Sequence, residues 1–175
     1  MTLFDKILGS RYPSSEWRRK EPLSISVDGD RGALCGVTLG QSIEALSFLG
    51  AADDPRRARQ GVLCYFSLGL ELAVSAAALQ EVTLILVDTL RDGYEPFRGS
   101  LTCGGRTHLL ESETNEQDAI RLFGAPIRRT EARDKESGDL EEVTLSYSST
   151  EATCAFIVGT SGMVEEVRVV RGYAA

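Results

Sequence analysis

Covalent or proton-transfer chemistry needs a nucleophile, a base or a charge held in company, and this sequence offers few. The single histidine, His108, follows Cys103 by five residues, with Gly104 and Gly105 between them. Such a hairpin could pair a thiolate with an imidazole base, and two glycine N–H groups could form an oxyanion site. No third group to orient the imidazole is evident, so a glycine turn with an exposed histidine is the favoured reading. No Gly-x-Ser-x-Gly elbow precedes a helix. Asp28-Gly29-Asp30 suggests a calcium loop, but the spaced oxygen ligands and closing glutamate are missing, so a hairpin turn is expected. Cys35, Cys64, Cys103 and Cys154 are scattered and lack zinc-site spacing. Glu111, Glu113, Glu116 and Asp118 suit the positive end of a helix without a metal. No phosphate-binding glycine loop is present. The sequence therefore names no catalytic residue, metal or cofactor.

The remaining candidate is a recognition patch. Trp17, Arg18 and Arg19, followed by Lys20, place an aromatic ring beside cations, a combination able to stack on a base or meet an acidic partner. The simpler alternative packs Trp17 on the domain and leaves the cations solvated. Composition narrows the partners. The 175 residues carry a net charge of −7, which disfavours general nucleic-acid binding. The hydrophobic fraction of 42% is enough for a core. No long uncharged apolar run suggests a membrane span, and the first residues do not resemble a secretory leader. A cytoplasmic protein with free thiols, no membrane contact and another protein as its partner is expected.

Several elements must position these residues. Thr2, with Leu3, Phe4, Ile7, Leu8 and Gly9, reads as a short docking helix. Residues 23–27 alternate as a strand, and residues 33–39 as its return. Ser42 caps a helix whose stripe is Ile43, Leu46 and Leu49 and whose stop is Gly50. Residues 51–60 read as a loop. Residues 61–70 and 79–90 read as strands, with a turn or single helical turn at Ala76-Ala77-Ala78. Further strands are expected near 97–102 and 107–110. Thr114 caps a second helix carrying Ala119, Ile120, Leu122 and Phe123 and ending at Gly124 before Pro126. Residues 128–140 read as a charged loop. Residues 142–147, 152–158 and 163–170 complete the strands.

The two helix stops, Gly50 and Gly124, lie 74 residues apart, Tyr65 and Tyr147 lie 82 apart, and Val82 and Val167 lie 85 apart. Gaps that open only in loops are the mark of a duplicated unit. Gly40, Ser42, Leu46, Leu49, Gly50 and Tyr65 form the fuller copy, and Ile120, Gly124, Pro126 and Tyr147 the sparser one. This pattern resembles the tandem β-lactamase-inhibitor-protein-like and SmpA/OmlA-like helix-plus-sheet repeats over residues 38–87 and 114–170. The resemblance implies a helix packed on an antiparallel sheet in each copy, and action by binding other proteins.

The expected architecture is α+β: residues 1–22 as an N-terminal helix and irregular segment, 23–92 as a first helix-plus-sheet repeat, and 93–175 as a second, within one compact domain. The expected function is a non-catalytic protein-binding or regulatory module, of inhibitor or toxin-immunity type. The alternatives are a small-ligand-binding protein with an apolar pocket between helix and sheet, and an enzyme using Cys103 and His108.

Overall fold

A computed structural model describes residues 12–21, 23–87 and 93–172. The expected helix beginning at Thr2 lies outside the described residues. The first half contributes six strands: β1 (Ser26–Asp28), β2 (Ala33–Leu34), β3 (Val37–Thr38), β4 (Val62–Tyr65), β5 (Leu70–Ser75) and β6 (Ala78–Ile85). The second contributes β7 (Ser100–Cys103), β8 (Arg106–Leu109), β9 (Arg128–Arg133), β10 (Leu140–Ser148), β11 (Ala152–Val158) and β12 (Val164–Arg171).

These strands form two sheets, one of five strands ordered β3-β2-β1-β7-β8 and one of seven ordered β4-β5-β6-β12-β11-β10-β9. The expected α+β class, a helix packed on its own sheet in each half, is therefore overturned in favour of a β-rich, two-sheet fold. Both sheets cross the boundary between the halves. β1 pairs in parallel with β7, Val27 opposite Leu101, and β6 pairs antiparallel with β12, Val82 opposite Val169. One core fills the space between the inner faces. Val27, Leu34 and Leu101 of the small sheet join Leu72, Val82, Phe156 and Val167 of the large one. Alternation inward and outward along each strand supplies those residues.

The helical segments are short for reasons visible in their spacing. Ile43, Leu46 and Leu49 are fully buried and three residues apart, which is the period of a 3-10 helix. Ile43–Leu49 is such a helix, with the Ser42 hydroxyl accepting from the Glu44 N–H. The second helix, Glu116–Phe123, is α-helical and buries Ala119 and Phe123, four residues apart. Its cap is Asn115, which accepts from the Asp118 N–H, while Thr114 donates instead to the Glu111 carbonyl. A five-residue helix, Pro55–Arg59, occupies the expected loop, started by Asp54 accepting from two N–H groups and by proline at its first turn. The expected charged loop after Gly124 contains edge strand β9. An edge strand exposed on both faces shows no apolar alternation, so the pattern gave no sign of it.

Both halves tie helix to sheet in the same manner. The Tyr65 hydroxyl donates to the Gly50 carbonyl at 3.3 Å, and the Tyr147 hydroxyl to the Gly124 carbonyl at 2.9 Å. Gly50 and Gly124 share an extended, positive-φ conformation, φ 86° and 92°, that side chains disfavour. Each capping residue also bridges the start of a strand, Ser42 to Ala78 and Asn115 to Met163.

Candidate functional site

The hairpin β7–β8 carries Cys103 and His108, and its register decides what they can do. Cys103 is opposite Arg106, and Leu101 is opposite His108. Cys103 and His108 thus share a face as diagonal neighbours, a placement that usually separates Cβ atoms by about 7–8 Å. Cys103 is fully buried. Its thiol meets that of Cys154 on β11, and this hydrogen bond, followed by burial, holds the Cys154 thiol well above its ordinary pKa. His108 lies edge-on to Phe123, ring centroids 5.5 Å apart. The sulfur faces the core and the imidazole faces a helix, so no nucleophile–base pair is assembled here.

The glycine N–H groups are occupied as well. Gly104 and Gly105, at φ 59° and 72°, form the two-residue turn. Both N–H groups donate to the Asp30 carboxylate, each at 2.8 Å. The protein's own side chain fills the expected oxyanion site. Asp28 shapes the neighbouring turn by accepting from the N–H groups of Asp30 and Arg31. The Asp-Gly-Asp stretch is therefore a double clamp between two turns, and Asp30 is the residue whose role sequence spacing did not reveal.

A second cluster of reactive groups lies behind β4 and β5. Glu71, buried opposite Cys64, accepts from the Arg57 guanidinium at 2.5 and 3.1 Å and from the Tyr94 hydroxyl at 2.6 Å. Burial raises the Cys64 thiol pKa, keeping it a poor nucleophile. Tyr94 is also pushed upward, first by burial and then by hydrogen bonds to Cys64 and Glu71. These satisfied polar groups fasten the Pro55–Arg59 helix and the segment around Tyr94 to the sheet.

Trp17 is half-buried and packs against the main core. Arg19 donates to the Leu49 carbonyl at 3.4 Å and to the Ser67 hydroxyl at 3.0 Å, and the Lys20 N–H donates to the Phe48 carbonyl. Arg18 is exposed beside them. The segment is thus laid across the end of the 3-10 helix. Among the described residues no group of three or more His, Cys, Asp or Glu could hold a metal ion, and no helix is long and apolar enough to cross a membrane.

One surface that exposes a large apolar side chain is the outer edge of β8; Ile127, just before β9, is another. A two-residue turn makes Cys103 and Arg106 a hydrogen-bonded pair, so pairing alternates along the hairpin. Thr102 and Thr107 form the next, closer pair, their hydroxyls 2.8 Å apart, and the Leu110 N–H reaches Gly99 as the alternation requires. The N–H and C=O groups of Thr107 and Leu109 consequently point away from β7, where β8 ends the five-stranded sheet. Leu109 is 73% exposed. Beside it a hollow of about 320 Å³ is bounded by His108, Leu109, Glu111, Glu113, Asp118 and Leu122. Asp118 pairs with Arg121 at 2.6 Å, whereas Glu111 and Glu113 have no cationic partner among the described residues. Sequence reasoning missed Leu109. Its signal was a leucine closing the short Arg-Thr-His-Leu strand just before an acidic run.

The chain matches no family model and no curated protein. Its fold is similar to that of a DUF4309 family protein, YjgB, from Bacillus subtilis subsp. subtilis str. 168, with a TM-score of 0.52, 11% sequence identity, and coverage of 79% of this chain and 84% of that one.

Proposed function

We propose that the chain is a non-catalytic protein-binding module that receives an extended, cationic segment of a partner protein along β8. The observation that carries this reading is the exposed Leu109 on a strand edge whose outward N–H and C=O groups have no hydrogen-bond partner among the described residues. An added strand satisfies those groups, and alternate side chains supply specificity. Glu111 and Glu113 select lysine or arginine beside an apolar residue that covers Leu109. The net charge of −7 favours a basic partner over nucleic acid. The occupied glycine N–H groups and the inward Cys103 support a role without catalysis.

Among the other edge strands, β9 at the end of the seven-stranded sheet is less suited. β9 carries Arg128, Arg129, Glu131 and Arg133, and Arg129 is spanned by Glu116 and Glu131. Charged side chains along an edge strand discourage pairing with another chain.

Selection from a random-peptide display library on the immobilised protein tests the proposal. Enriched peptides should alternate cationic and apolar residues and should protect the Thr107 and Leu109 amides from hydrogen exchange. Thr107→Pro removes an outward N–H while leaving the β7 ladder intact. It should weaken binding by about tenfold or more, as loss of a main-chain hydrogen bond and the strand edge implies. Leu109→Lys should do the same. Peptides whose affinity ignores both substitutions, or whose protection maps to another surface, would overturn it.

A further inference from the structure

We infer that the hollow between Tyr12, Trp17 and Glu44 binds a methylated ammonium group, the cationic head of a choline-like molecule or of a trimethylated lysine side chain. The hollow measures about 260 Å³ and is lined by Tyr12, Pro13, Ser15, Glu16, Trp17 and Glu44. Its charged residues are both acidic, and two aromatic side chains stand with them. The cations next in sequence are directed elsewhere. The Arg19 guanidinium donates to the Leu49 carbonyl and the Ser67 hydroxyl. Arg18 and Lys20 are exposed and do not line the hollow.

The segment that carries the rings is held in place from both sides. The Ser15 N–H donates to the Tyr12 carbonyl at 3.0 Å and the Trp17 N–H to the Ser14 carbonyl at 3.1 Å, making two overlapping turns. Pro13 takes the second position of the first turn, where its fixed φ is favoured. Ser14 between the rings is fully buried, and its hydroxyl accepts from the Ala52 N–H at 3.1 Å. Tyr12 and Trp17 both pack against the main core while part of each stays exposed. Glu44 comes from the first turn of the 3-10 helix, is exposed, and makes no ion pair among the described residues. Aromatic faces attract cations through their quadrupole, the indole most strongly. A bare ammonium is strongly hydrated and resists losing that water. Methyl groups replace the hydration with apolar surface suited to the rings and to Pro13, and they carry no N–H that needs an acceptor. The Glu44 carboxylate then adds Coulomb attraction without demanding a fixed contact geometry. Sites for drug-sized ligands measure about 300–1,000 Å³, so this smaller hollow takes a head group and not a whole cofactor.

Choline and an N-acetylated trimethyllysine amide supply the two sources of that group. Each is titrated into the full chain at low ionic strength, with binding read by calorimetry and by the emission of Trp17, the single tryptophan. The expected result is saturable one-to-one binding of at least one of them, with a change in that emission. The neutral alcohol in which carbon replaces the choline nitrogen keeps the shape and loses the charge, and it should bind about tenfold more weakly. Trp17→Leu should weaken binding about tenfold by calorimetry, the loss expected for a partly desolvated cation–π contact. Glu44→Gln should weaken it about fivefold, the weight of one charge at contact distance in water. Glu136→Gln, which removes an exposed charge between β9 and β10, should leave it unchanged. Preference for choline assigns a free ligand and preference for trimethyllysine a modified protein side chain, either of which supports the site. No saturable binding of either cation, equal affinity for the neutral alcohol, or equal effects of Glu44→Gln and Glu136→Gln would overturn it. Circular dichroism separates lost binding from lost folding in Trp17→Leu, and the surface variant Glu44→Gln carries the test if that chain unfolds.

Discussion

Replacing Tyr94 with phenylalanine removes the hydroxyl that donates to a buried carboxylate. Tyr94 is 3% exposed, and its hydroxyl lies 2.6 Å from Glu71 Oε1. A hydrogen bond to a charged acceptor contributes about 1.5–3 kcal/mol. The same oxygen also accepts from Arg57 at 2.5 Å, so the carboxylate is not abandoned when the hydroxyl goes. That places the expected loss near the middle of the range, about 2 kcal/mol. For a chain of this size it lowers the melting temperature by about 4–8 °C. Urea denaturation, followed by far-UV circular dichroism, gives the free energy directly. Removing Arg57 instead takes a two-pronged guanidinium contact from a buried glutamate and should cost about 1.5–3 kcal/mol. Because both donors share one acceptor, Tyr94→Phe and Arg57→Ala should not add, with a coupling above about 0.5 kcal/mol. The pH dependence gives an independent check. Burial raises the folded-state tyrosine pKa above its ordinary value of 10.0, so this contribution is complete below pH 10 and fades as pH rises through the folded value. The stability gap between native chain and variant should therefore narrow in alkali. A Tyr94→Phe loss under about 0.5 kcal/mol, or strict additivity with Arg57→Ala, would refute the shared-carboxylate account.

Four other outcomes follow from the same structure. Asp30→Ala should cost about 1–2 kcal/mol in urea denaturation, because two N–H donors lose a charged acceptor but regain water. Tyr65→Phe and Tyr147→Phe should each cost about 1 kcal/mol, and ultraviolet titration should find Tyr147, held up by burial, ionising at about 12. Glu165 is raised chiefly by burial and then by Glu166 and Glu142, so its favourable contribution is present below about pH 4.5 and is lost as pH rises through the folded value. Glu165→Gln should accordingly improve the urea midpoint more at pH 7 than at pH 4. Ala77→Gly should stabilise the β5–β6 hairpin by up to about 1 kcal/mol, since Ala76 and Ala77 sit at φ 50° and 58°, where a Cβ is penalised.

What was legible in the sequence was local. Ser42 as a cap, Gly50 and Gly124 as stops, and the strands through Val82, Phe156 and Val167 follow from nearby residues alone. The three-residue rhythm of Ile43, Leu46 and Leu49 was also visible, although it reports a 3-10 helix. The larger architecture was not, because sheet partners are chosen over long distances. Nothing near Val27 announces a parallel neighbour at Leu101. The candidate site divides along the same line. Strand alternation already pairs Cys103 with the buried Leu101, which points its sulfur inward. In contrast, the carboxylate that fills the glycine turn arrives from Asp30 in the other half.

The pairing of each sheet across the chain's two halves also governs its birth on the ribosome. When residue 100 has just emerged, β6 has β5 on one side and an empty flank on the other, because β12 is still to be synthesised. The strand with that open edge carries Leu79, Val82, Leu84 and Ile85, all buried in the finished chain. Loop-closure entropy delays its pairing until residues 164–171 arrive. The nascent first half is thus a sticky intermediate by topology, and its solubility depends on how quickly the second half is delivered.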